Sequence, residues 1–112
     1  MLGIRRFHET AVDVWQGELS QFAADIHIDS FSSLENFQKA LGKSSRQHIC
    51  CGPLDVADGN EPTLAATRAM ATVRQLVESM GHNAPRRITF ALATAELYTT
   101  YRDALFTAFH DD

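Results

Sequence analysis

Asp25, His27 and Asp29 alternate with Ile26 and Ile28, so a strand over 25–29 would set three ligand-type side chains on one face. A carboxylate–imidazole–carboxylate row suits a divalent cation, which makes a metal-dependent hydrolase one reading of the chain. No HxH, CxxC or HExxH spacing accompanies the row, and the competing reading is the solvent-facing polar side of a strand. Cys51, at the end of an apolar run before Gly52-Pro53, could serve as a nucleophile with His48 or His27 as its base. Burial as a free thiol is the commoner state of such a cysteine. The third place is 49–62, ICCGPLDVADGNEP, where an apolar run, an acidic loop and a Pro62 helix start follow one another. Strand–loop–helix is the unit in which α/β proteins hold phosphates. Here Asp55 and Asp58 would oppose an anion: a like-charge pair at roughly 4 Å, in an effective dielectric near 20, costs about 4 kcal/mol before screening.

Positioning elements can be read around these residues. A strand over 4–8, a turn at 9–11 and a strand over 12–16 predict an antiparallel pair at a sheet edge. Val12 and Val14 share one side of the second strand and Trp15 takes the other; an alternating strand usually buries its tryptophan, so Trp15 is expected in the core. The third strand is 25–29. Ser32 or Ser33 then caps a helix through Gly42 that carries Leu34, Phe37, Ala40 and Leu41 on one face, with Gly42 expected as the C′ residue at its end. A strand over 46–51 follows. From Pro62, the residues Ala66, Ala69, Met70, Val73, Leu76, Val77 and Met80 recur at helical spacing until Gly81. The last strand, 88–93, sets Ile88, Phe90 and Leu92 against Ala91 and Ala93, and Thr94 caps a closing helix with Leu97, Tyr98, Tyr101, Leu105 and Phe109. The order β-β-β-α-β-α-β-α predicts an α/β domain, a mixed sheet with helices packed on it.

Composition bounds the function. With 112 residues, the chain is expected to form one domain with a core that needs no disulfide or metal. A net charge of −4, with basic residues paired only at Arg5-Arg6 and Arg86-Arg87, disfavours nucleic acid, whose binding rests on a basic surface. No apolar stretch reaches membrane-spanning length, and no signal-peptide core follows the first residues. Cys50 and Cys51 are the only cysteines; adjacent in a strand, they point apart and are expected as reduced core thiols of a cytoplasmic protein.

Several stretches together resemble the macro domain, an ADP-ribose-binding α/β family. Gln16-Gly17-Glu18-Leu19-Ser20 looks like that family's Q-G-D-I-T, and DIHIDSFS over 25–32 falls on its D-A-I-V-N-A-A-N. The stretch 49–62 matches the length of I-A-F-P-A-I-S-T-G-V-Y-G-Y-P without a gap, and ITFALATAELYTTYRDAL over 88–105 resembles the closing strand and helix. The family's glycine-rich first loop, a helix and a strand have no counterpart near 32–34, so the resemblance implies a domain shortened in the middle. It places Glu18 where an aspartate meets adenine, Asp29 and Ser32 where asparagines address the distal ribose, and Gly59 in the phosphate loop. The adenine-stacking aromatic aligns with Ala93, and loss of a stack removes on the order of 1–3 kcal/mol. The expectation is therefore a non-catalytic binding or interaction module with a degenerate ADP-ribose site and no cofactor. It would be oligomeric, or covered by another protein, at a sheet edge or face left open by the shortening. The alternatives are a working ADP-ribose binder or ADP-ribosyl hydrolase, and the metal-dependent hydrolase at Asp25, His27 and Asp29.

Overall fold

The alternation becomes a five-stranded mixed sheet in the computed structural model, which describes residues 3–29, 33–54 and 61–109. β1 (Ile4–Phe7) and β2 (Thr10–Gln16) form an antiparallel hairpin with Phe7 opposite Thr10. Its loop is His8-Glu9 rather than 9–11: His8 adopts φ 55°, and a positive φ in a two-residue loop matches the twist of the strands it joins. β3 (Ile26–Ile28), β4 (His48–Cys51) and β5 (Arg87–Leu92) run parallel, β5 also parallel to β2, giving the order β1-β2-β5-β4-β3. Helices α1 (Leu34–Gly42), α2 (Pro62–Met80) and α3 (Ala95–Ala108) follow β3, β4 and β5, so strands and helices succeed one another as the sequence implies.

Local chemistry sets the boundaries. Ser33 Oγ accepts from Asn36 N at 3.1 Å and Thr94 Oγ1 from Leu97 N at 3.2 Å, each satisfying an amide that the first helical turn leaves free. Pro62 opens α2, and Gly81 ends it at φ 56°, a conformation a side chain would strain. Gly42 closes α1 from inside, with Lys43 as the cap, instead of lying beyond it. β4 begins at His48 and not at 46 because Arg46, at φ 57°, is out of the extended region.

The crossovers from β3 through α1 to β4, and from β4 through α2 to β5, step the same way along the sheet. Right-handed connections therefore place both helices on one face, and α3 packs beside α2 over β2 and β5. One core results: Val12, Val14, Ile49, Ile88, Phe90 and Leu92 from the strands meet Phe37, Leu41, Met70, Val73, Tyr101 and Leu105 from the helices. Among the described residues no helix covers the opposite face, which holds the other strand parity, Asp13, Trp15, His48, Arg87 and Thr89. Trp15 is 44% exposed, a correction to its expected place in the core: alternation tells which side a residue takes, and this side carries no helical layer. No described helix is long and apolar enough to cross a membrane.

Candidate functional site

The chain leaving β2 folds back on itself because Gly17 has no side chain; a Cβ there would lie 2.6 Å from Gln21 Oε1 and 3.3 Å from the Phe22 ring. Gln21 Oε1 accepts from Glu18 N at 2.6 Å, securing a short 3-10 turn over Leu19–Gln21. His27 Nε2 donates to the Phe22 carbonyl at 2.7 Å, which ties this segment to β3 and places a proton on Nε2. These contacts frame a cleft of about 800 Å³ lined by Glu18, Ser20, Phe22, His27 and Asp29. It opens at the carboxyl ends of β2 and β3, where parallel sheets place their ligands. The structure thus brings Glu18, His27 and Asp29 together, although sequence separates the first from the last by a turn and a strand. Both carboxylates are exposed in the cleft, a poor surface for a diphosphate. Ser32 and Gly59, with the loop acids Asp55 and Asp58, lie outside the described residues.

The row Asp25, His27, Asp29 has a different use from the one its spacing suggests. Among the described residues no group of three His, Cys, Asp or Glu side chains is placed to hold a metal. β3 is Ile26–Ile28 with Asp25 and Asp29 at its two ends, and exposure alternates as the spacing implies, Asp25, His27 and Asp29 outward and Ile26 and Ile28 half-buried. Asp25 Oδ2 accepts from His48 N at 2.8 Å and stands 3.9 Å from Arg86 Nη2, which spends that carboxylate on clamping β3 to β4.

A denser polar cluster sits on the uncovered face. Asp13 is fully buried, and its Oδ2 accepts from Trp15 Nε1 and from Arg87 Nη2, each at 2.5 Å, while Oδ1 accepts from Thr89 Oγ1 at 2.7 Å. A carboxylate can only accept, so the one Thr89 hydroxyl proton points at Asp13. Thr89 Oγ1 must then accept from His48 Nε2, 2.8 Å away. The proton order is thereby fixed: His48 carries its proton on Nε2, and Nδ1 presents a lone pair that has no hydrogen-bond partner among the described residues. Loss of solvation pushes the His48 pKa down, with the Arg87 charge adding to the effect, so the ring is held neutral.

The thiols are quiet. Cys50 and Cys51 are free and buried. Desolvation raises Cys50 to about 11 and pushes Cys51 well above its ordinary value, which keeps both protonated at neutral pH. The pairing of Cys51 with His48 fails on strand parity: three positions apart in β4, they lie on opposite faces, Cys51 in the helix-side core and His48 on the bare face. Asp13, Thr89 and Arg87 were not singled out by sequence reasoning. The available signal was an acid between Val12 and Val14 in a strand otherwise apolar enough to be buried, which calls for a basic partner on a neighbouring strand. Comparison of the chain with protein-family models and with curated proteins gave no match.

Proposed function

We propose that this chain is a non-catalytic binding and interaction module, built like a shortened macro domain with a degenerate ADP-ribose site, and that a second copy pairs with it at the β3 edge. The observation that carries this reading is the one-sided build: three helices line one face, the other face has no helical layer among the described residues, and the outer side of β3 is left to a partner. β3 is hydrogen-bonded to β4 alone among the described strands, and an unpaired edge of this kind is a template for another strand. Both thiols are buried away from the cleft and held protonated, and His27 Nε2 is engaged by a backbone carbonyl, which supports binding over catalysis. Two free thiols suit a reducing, cytoplasmic setting.

The test is sedimentation velocity over a wide concentration range, joined to amide hydrogen exchange. A reversible dimer is expected, with exchange at 26–28 slowing as it forms. A monomer at every concentration, or a dimer protected elsewhere, overturns the pairing. A second reading, an ADP-ribose binder, draws on the convergence of Glu18 and Asp29 in one cleft. Calorimetry with ADP-ribose separates the two: saturable heat that Glu18→Ala abolishes would replace the degenerate site with a working one.

A further inference from the structure

The bare face carries a second hollow, of about 280 Å³, lined by Trp15, Phe22, His48 and Arg87 with the buried Asp13 and Thr89. It shares Gln21, Phe22 and Ala23 with the acidic cleft but contains neither Glu18 nor Asp29. Its aromatic wall is held in place: the exposed indole of Trp15 is anchored through Nε1 to Asp13, and the Phe22 ring centroid lies 6.4 Å away. An exposed aromatic plate fixed in this way offers a stacking surface with little ordering left to do. The two polar groups complement one another. His48 Nδ1 offers a lone pair, and the Arg87 side chain, 41% exposed, has guanidinium N–H groups beyond the Nη2 bound to Asp13 with which to donate, although its Nε is buried and out of a guest's reach. Asp13 and Arg87 balance each other's charge, so the hollow favours a neutral guest. Its volume is near the lower end of the range for ligand pockets, about 300–1,000 Å³, which suits one ring or two fused rings.

We propose that this hollow binds a neutral, planar heteroaromatic ring with a ring N–H beside a carbonyl, the chemistry of uracil or hypoxanthine. The ring stacks on Trp15, its N–H donates to His48 Nδ1, and its carbonyl accepts from Arg87. The inference rests on the reading of the chain as a binding module, with the second copy on the β3 edge and this face open.

Trp15 is the only tryptophan, so its fluorescence reports the stack directly. Titration with uracil and with hypoxanthine is expected to quench it saturably, and uracil methylated on both ring nitrogens should bind at least tenfold more weakly. By calorimetry, Trp15→Leu should weaken binding by about tenfold or more, the loss of one stack. His48→Phe keeps a ring at the site but removes the acceptor, and should erase the preference for the unmethylated base even if Trp15→Leu does not fold. Absence of saturable quenching by either base, or equal binding of the methylated one, overturns the proposal. Sedimentation of the same samples separates the failures: an intact dimer without ring binding refutes this inference alone, and loss of both refutes the module reading beneath it.

Discussion

Replacing Asp13 with asparagine should reverse the proton order on the bare face. With the new carbonyl where Oδ2 stands, the asparagine side chain can still accept from Trp15 and Arg87, but its amide must then donate to Thr89. Thr89, now an acceptor on that side, turns its own proton toward His48 Nε2, and the imidazole moves from the Nε2–H to the Nδ1–H tautomer. The stability cost can be worked from the three bonds to the carboxylate. Bonds to a charged acceptor contribute about 1.5–3 kcal/mol against about 0.5–1.5 kcal/mol for neutral ones, so neutralisation costs about 1 kcal/mol per bond. Arg87 is 41% exposed and its guanidinium can turn to water, so its share is largely discounted, leaving about 2 kcal/mol in total. With a urea slope of about 1–3 kcal/mol per molar, the unfolding midpoint should fall by about 1 M. Proton–nitrogen correlation spectra of the imidazole read the tautomer, and urea titration reads the stability. The same His48 tautomer in both proteins, or an unchanged midpoint, would refute the relay from Asp13 through Thr89. In that event Nδ1 would lose its standing as the acceptor of the ring site as well.

Two further outcomes follow from single contacts. His48 is lowered below its ordinary 6.5 by desolvation and, next, by Arg87, with Arg86 adding a smaller push and Asp13 and Asp25 opposing. The unfolded chain therefore takes up the proton first as pH falls: the stabilisation is complete above about pH 6.5 and disappears as pH drops through the lower folded pKa. The melting temperature should fall on acidification more steeply in the native protein than in His48→Gln, and parallel curves would show that His48 is not the group responsible. Tyr101, buried at 1% exposure and with its hydroxyl pushed up to about 12 by desolvation, accepts from Leu54 N at 3.0 Å at the exit of β4. Tyr101→Phe should cost about 1–3 kcal/mol in denaturant unfolding, because it leaves that buried amide without an acceptor, and a neutral effect would place Leu54 N in water.

What sequence could reveal divides along a physical line between local and distant causes. The α2 period, the Ser33 and Thr94 caps and the stop at Gly81 depend on residues within a turn of one another, and all were legible. Trp15 was not, since its exposure depends on which face the crossovers wrap, and that is settled by the strand order and the handedness of two distant connections. Asp13 was missed for the same reason: its partners Arg87 and Thr89 lie 74 and 76 residues away, and no window along β2 contains them. Glu18 is reached only through the family resemblance and Asp29 through both the strand alternation and the resemblance, and their meeting in one cleft depends on the fold-back at Gly17.

The polar cluster also explains how a sheet with helices on one side can hold its other face. A buried carboxylate without donors would be strongly destabilising, and an apolar middle would expose a patch that invites aggregation. Asp13 avoids both, because β2, β4 and β5 together supply Trp15, Arg87, Thr89 and, through Thr89, His48. The centre of the face is thereby satisfied without a covering helix, and the large apolar side chains exposed there are Trp15 and, opposite Asp13 on β1, Ile4. A face built in this way can stay uncovered, and the proposed ring site would use the aromatic plate that it fixes in place. The proposed ring site therefore rests on Asp13 and Trp15 and not on the acidic cleft that the resemblance first points to.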